Sequence, residues 1–217
     1  MFSTYQPNSN LPTKYIRDST GQITGYCAIN RPITFFIKKA YSALLKGFED
    51  NQIYYDIDTS LILNEDGKEQ KYCYEVRFNT PYTTSKNLEP ILQVDLKRSF
   101  GVEAHLYKEE VLCFIIKDIK NIDSLRSRHQ GTSSSLNKTN KEKFIYGHSL
   151  NRTLGLLNRL TIPLINESAY GDRKVDIVFP ADLNVREPNA LIEYLREIGF
   201  EIEKERRLIK VIRVTNH

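Results

Sequence analysis

LEPILQVDLKRSFGVEAHL at residues 88–106 and REPNALIEYLREIGFEIEK at residues 186–204 follow one plan. Each reads Glu-Pro, an amphipathic stretch, then Gly, an apolar residue and Glu. Glu89 and Glu187, Pro90 and Pro188, Gly101 and Gly199, and Glu103 and Glu201 are each 98 positions apart. In the later copy Pro188 falls where the first helical turn needs no N–H. Leu191, Ile192, Leu195 and Ile198 form one apolar face, and Gly199 ends the helix as a left-handed cap residue. The earlier copy has Ile91, Leu92, Leu96 and Phe100 as its face and Gly101 as its cap.

Outward from this pair the same order of elements recurs. KYCYEVRFN from Lys71 and KVDIVFP from Lys174 alternate as strands before each helix. VEAHLYKEEVLCFIIKD and FEIEKERRLIKVIRV follow the helices and are predicted as hairpins, the first turning near Glu109-Glu110. A looser strand–helix–strand precedes each copy: ITGYCAIN, ITFFIKKAYSALLKGF and NQIYYDID in the first, KFIYGHSL, NRTLGLLNRL and TIPLINES in the second. The predicted fold is α+β, an internal duplication of β-α-β-β-α-β-β halves, with mostly antiparallel sheets and helices packed on one face. Its divisions are an N-terminal extension (1–21), a first half (22–118), a linker or long loop (119–142) and a second half (143–217). The linker reads DSLRSRHQGTSSSLNKTNKEK, and so polar a composition cannot bury enough surface to offset the entropy of ordering.

With 217 residues, 40% hydrophobic and 27% charged, the chain suits one large or two small globular domains. No run approaches the roughly 18 apolar residues of a membrane span. The polar opening, MFSTYQPNSNLPTKYIRDSTG, has no apolar core of a secretory leader. A net charge of +4 is mild and does not by itself indicate a nucleic-acid binder. Linker cations outnumber its acids, and with Lys120, Arg126, Arg128, Lys138, Lys141 and Lys143 they form the one nucleic-acid candidate. No aromatic residue for base stacking lies within the linker, so nucleic acid is disfavoured as a partner.

Chemistry is sparse. Cys27, Cys73 and Cys113 have no CxxC spacing and lie in apolar runs, as small buried thiols do. His105, His129, His148 and His217 share no ligand spacing, and neither metal nor cofactor is expected. Asp56 and Asp58 in YYDID are two apart and are predicted to project from one strand face. Such a pair can hold a cation or do acid–base work, although the solvated face of a half-buried strand is the commoner reading. In GHS, at 147–149, His and Ser point to opposite faces of a strand, poor geometry for a base and its nucleophile. Gly171 to Arg173 reads as a turn. Phosphate-loop and serine-nucleophile motifs are absent.

Four stretches carry a family resemblance: GQITGYCAINRPITFFIKKAYS, KYCYEVRFNTP, LQVDLKRSFGVEAHLYKEEVLCFIIK, and PLINESAYGDRKVDIVFPAD with ALIEYLREIGFEIEKERRLIKVIRV. Together, from Gly21 to Val214, they resemble a domain family of Gram-negative bacteria. That family occurs alone or C-terminal to TlpA-like thioredoxin disulfide reductases. One departure is Ser168 to Asp172, where the family tends to have a Thr-Gly pair. The resemblance implies a periplasmic or cell-envelope setting and a protein partner or fused thioredoxin-like domain. Any disulfide reductase activity would then reside in that separate domain. It carries no catalytic residues over, and the βαββ unit is also similar to docking modules of secretins and TonB-dependent receptors.

The expected function is therefore a non-catalytic binding or docking module of the envelope, acting through strand edges at 102–117 and 200–214. Its expected partner surface is Tyr54, Tyr55, Asp56 and Asp58. The alternative is a cytoplasmic nucleic-acid-binding protein built from repeated α/β units.

Overall fold

The computed structural model describes residues 1–5, 13–82, 88–136, 142–158 and 162–217. Their strands are β1 (Phe2–Thr4), β2 (Lys14–Arg17), β3 (Ile23–Pro32), β4 (Ile53–Asp56), β5 (Lys71–Tyr82) and β6 (Val102–Ile119). After these come β7 (Ser133–Ser135), β8 (Lys143–Ser149), β9 (Leu164–Asn166), β10 (Lys174–Phe179) and β11 (Phe200–Asn216). The helices are α1 (Ile33–Ala40), α2 (Ser42–Leu45), α3 (Leu88–Phe100), α4 (Leu150–Leu157) and α5 (Pro188–Glu197). Most strand pairs are antiparallel, and the fold is α+β.

The chain forms two compact units that do not follow the sequence halves. The first gathers 1–48, 53–107 and 211–217; the second gathers 49–52 and 108–210. Sequence separation is no bar to joining a core when strands pair across it, and each of the long strands β6 and β11 gives one end to each unit.

In the first unit a sheet runs β1-β5-β3-β2. The expected N-terminal extension thus supplies two strands, with Phe2 opposite Tyr74 and Lys14 opposite Cys27. Apolar alternation turns Tyr26, Ala28, Tyr72 and Tyr74 inward against Phe36, Ile37, Leu92 and Leu96. The buried Tyr74 phenol donates to Asp95 at 2.8 Å, so its polar end is satisfied. β4 pairs in parallel with the end of β11, Ile53 opposite Ile212, and Ile212 and Val214 join this core.

The second unit has a three-stranded sheet, β10-β8-β7. Ile145, Val175, Ile177 and Phe179 face a core closed by Leu154, Leu191 and Leu195. β9 pairs in parallel with β6, Leu164 opposite Phe114. Ser149 caps α4, accepting the Arg152 N–H, and the Glu187 carboxylate caps α5 from both oxygens, with Pro188 in its first turn as read. Gly101 and Gly199 take φ of +68° and +105°, the left-handed ends the sequence requires.

Two expectations fail. The segments after α3 and α5 are not hairpins: β6 is one strand of 18 residues and β11 one of 17. Their charged middles resemble turns in composition, yet neither middle holds the Gly, Asn or Pro that a tight reversal uses. The charges mark solvent-exposed strand instead. In the order β4-β11-β6-β9 they are the two inner members, with β4 paired to Ile212–Thr215 of β11 and β9 to Phe114–Ile116 of β6.

The expected linker is likewise folded over its described part. A 3-10 turn at Ile122–Leu125 buries Ile122 in the second core, Arg126 bridges Val175, and β7 pairs with β8. One buried isoleucine and a row of backbone hydrogen bonds order a segment whose composition alone reads as loop. Lys138 and Lys141 lie outside the described residues.

Candidate functional site

Each of the four residues expected to meet a partner also makes a contact within the fold. The Tyr54 ring lies under the Arg213 guanidinium, 5.3 Å from its centroid, and Tyr55 packs on the first core. Asp56 pairs with Arg213 as the last residue of β4. Asp58 caps a 3-10 turn, accepting the Ser60 N–H at 2.8 Å, and that bond and the Ser60 hydroxyl hold its carboxyl below the ordinary range. The strand ends between the two aspartates with Ile57 buried, so they do not share a strand face.

The three cysteines are free, and burial pushes the Cys27 and Cys113 thiols up, away from the reactive thiolate. No group of three His, Cys, Asp or Glu side chains among the described residues is placed to hold a metal ion. Ser149 is occupied as a helix cap.

A different cluster forms on the second unit. Period-two alternation along KFIYGHS turns Lys143, Ile145 and Gly147 to the core side and leaves Phe144 and Tyr146 on the open face, half-buried. β10 continues that face with Lys174, Asp176 and Val178, the last 56% exposed. The Phe144 and Tyr146 rings stack at 4.4 Å and 15°. On the other side of Tyr146 lies His129, at 4.2 Å and 9°. Three rings from two distant segments therefore make one near-parallel stack.

Asp176 holds the outer ring in place. Pairing of β10 with β8 shifts between Val175 and Ile177, and this irregularity lets the Asp176 side chain reach over β8. Its carboxylate accepts the Gly147 N–H at 2.9 Å and the Arg128 N–H at 3.0 Å, and lies 2.9 Å from His129 Nδ1. Burial raises the pKa of this group, but bonds from Ser127, Arg128, His129 and Gly147 outweigh it and hold the value to about 2. The carboxylate is thus ionised at neutral pH, His129 Nδ1 carries the donated proton, and Nε2 is left away from Asp176. Arg126 and Arg128 are exposed beside the stack.

A folded-state pKa below the ordinary 3.8 means that Asp176 adds stability above about pH 4, and loses it as pH falls through about 2. Urea unfolding at pH 7 and pH 3 should show a smaller acid-induced loss in Asp176→Asn than in the parent. Equal losses would contradict this linkage.

The stack is not legible in residues 119–142 alone, which hold no Phe, Tyr or Trp. One signal was present: two aromatic residues at alternate positions of a strand whose intervening residue faces the core. Nothing in the sequence announces that His129 would complete the stack.

Among the described residues no helix is long and apolar enough to cross a membrane. Comparison with protein-family models, with curated proteins and with solved structures finds no match for this chain.

Proposed function

We propose that this chain is a recognition module that binds single-stranded nucleic acid across the open face of the β7–β8–β10 sheet. The observation that carries the reading is the Phe144–Tyr146–His129 stack on a sheet surface, in which Tyr146 is covered on both faces and the outer faces of Phe144 and His129 are left for bases. Unpaired bases stack on such rings at about 1–3 kcal/mol each, whatever their identity. Bases of a duplex already stack on one another and are withheld. Arg126, Arg128 and Lys174, all exposed, supply charge for the phosphates at the margin of the stack.

Two of the cations named from the sequence take other roles. Lys120 pairs with Glu201 at 3.1 Å, and Lys143 is buried. Nucleic acid was disfavoured because the polar stretch lacks aromatic residues; the fold supports it by bringing that stretch against β8. Docking through strand edges at 102–117 and 200–214 has less surface than a terminal hairpin would offer, because β4 pairs with Ile212–Thr215 and β9 with Phe114–Ile116.

Fluorescence anisotropy with a labelled oligothymidylate of about 12 nucleotides tests the proposal. Binding should exceed that of a duplex of equal length by at least about tenfold. Two or three phosphate contacts predict a roughly tenfold loss of affinity between about 50 and 200 mM salt. Absence of binding at about 100 µM protein, or equal affinity for duplex, would overturn the reading.

A further inference from the structure

Lys143 occupies a core-facing position of β8, opposite Phe179 and two residues from the buried Ile145, with only 4% of its surface exposed. An ammonium group has three N–H donors. Two of them end on backbone carbonyls, at Leu183 (3.0 Å) and Ala181. No carboxylate among the described residues lies within 4.0 Å of it. A buried cation without a counter-ion is costly, and sequences keep such groups where something else meets the charge.

This lysine lines a cavity of about 260 Å³. Leu136, Leu183 and Val185 give it an apolar wall, and Asp182, Asn184 and Arg186 stand exposed or half-exposed around it. Two cations against one carboxylate leave the lining net positive. The volume is below the roughly 300–1,000 Å³ of pockets that enclose drug-sized ligands. A small tetrahedral oxyanion fits both the size and the charge.

We propose that this cavity is an anion site that takes a phosphate group, held by the Lys143 ammonium at its base and the Arg186 guanidinium at its mouth. The third ammonium proton and the planar guanidinium donors are both used, as a phosphate with several acceptor oxygens allows. The free ion and the end of a phosphate monoester present the same chemistry. Lys143 and Tyr146 project to opposite faces of β8, so this site stands or falls independently of the ring stack.

The test is isothermal titration of the full chain with sodium phosphate against sodium chloride at matched ionic strength. One phosphate per chain should bind saturably. Arg186→Ala should weaken it at least tenfold while thermal unfolding without phosphate is unchanged, because that side chain is exposed. Lys143→Met should abolish binding. Where its loss of the loop carbonyl bonds prevents folding, Arg186→Ala together with Asn184→Ala decides. No saturable phosphate heat, or a heat that Arg186→Ala leaves unchanged, would overturn the assignment. Glycerol 3-phosphate binding more tightly than phosphate identifies an ester as the ligand; weaker binding identifies the free ion.

Discussion

Tyr146→Ala should reduce affinity for a single strand by about 5- to 150-fold, the 1–3 kcal/mol of one stacked base, because it removes the ring that holds the Phe144 and His129 faces in place. Phe144→Ala should lose as much by removing an open face directly, since Tyr146, the middle ring, is covered on both faces by its neighbours. Two further variants separate stacking from packing. Tyr146→Phe keeps the ring between Phe144 and His129 and should bind within about threefold of the parent. Tyr146→Leu keeps much of the apolar contact but offers no ring, and should resemble the alanine variant. Anisotropy titrations of the three against one labelled strand decide the matter. A leucine variant that binds as the parent does would show that the ring faces are not the recognition element.

Gly147→Ala should cost about 3 kcal/mol of stability, with urea unfolding as the measurement. Two penalties combine. Gly147 has φ of +70°, where an L-residue pays about 1–2 kcal/mol. A methyl there would also run into the Gly131 carbonyl, forcing the chain before β7 away from β8, a type of overpacking that costs about 1–3 kcal/mol. The same displacement pulls at the Gly147 N–H bond to Asp176, so strand binding should fall with stability. Asn30 offers an internal control. It holds φ of +53° three residues before α1, as Gly147 does before α4, and asparagine tolerates that region. Gly147→Asn should therefore recover the conformational part only, about 1 kcal/mol, and keep the steric part. A loss under about 1 kcal/mol for Gly147→Ala would contradict both terms.

What could be read ahead of the structure was what is decided locally. Leu92, Leu96, Leu191 and Leu195 are buried as their spacing implies, and the Pro188 start and the Gly101 and Gly199 ends depend only on neighbours in the chain. Long-range choices were hidden. Whether VEAHLYKEEVLCFIIKD reverses or runs on is settled by what pairs beside it, and β9 is remote in sequence. Asp56 and Asp58 read as a pair only if strand parity continues two residues past the point where β4 stops. The ring stack needed two facts at once: that Phe144 and Tyr146 face outward, and that a serine-rich arm with little strand propensity returns to lie against them. Asp176 supplies the second, through bonds to backbone N–H groups that no side-chain pattern reveals.

The sharing of β11 between the two units bears on the order in which the chain becomes able to fold. A ribosome releases residues 1–107 long before residues 211–217, yet both belong to the first unit, and Ile212 and Val214 are fully buried within it. That unit must therefore wait, incomplete, through synthesis of the whole second unit, with the hydrophobic slot for Ile212 and Val214 unfilled. Residues 1–118 expressed alone would lack the same strand end. Residues 211–217 complete, after the second unit has been made, the core that residues 1–107 began.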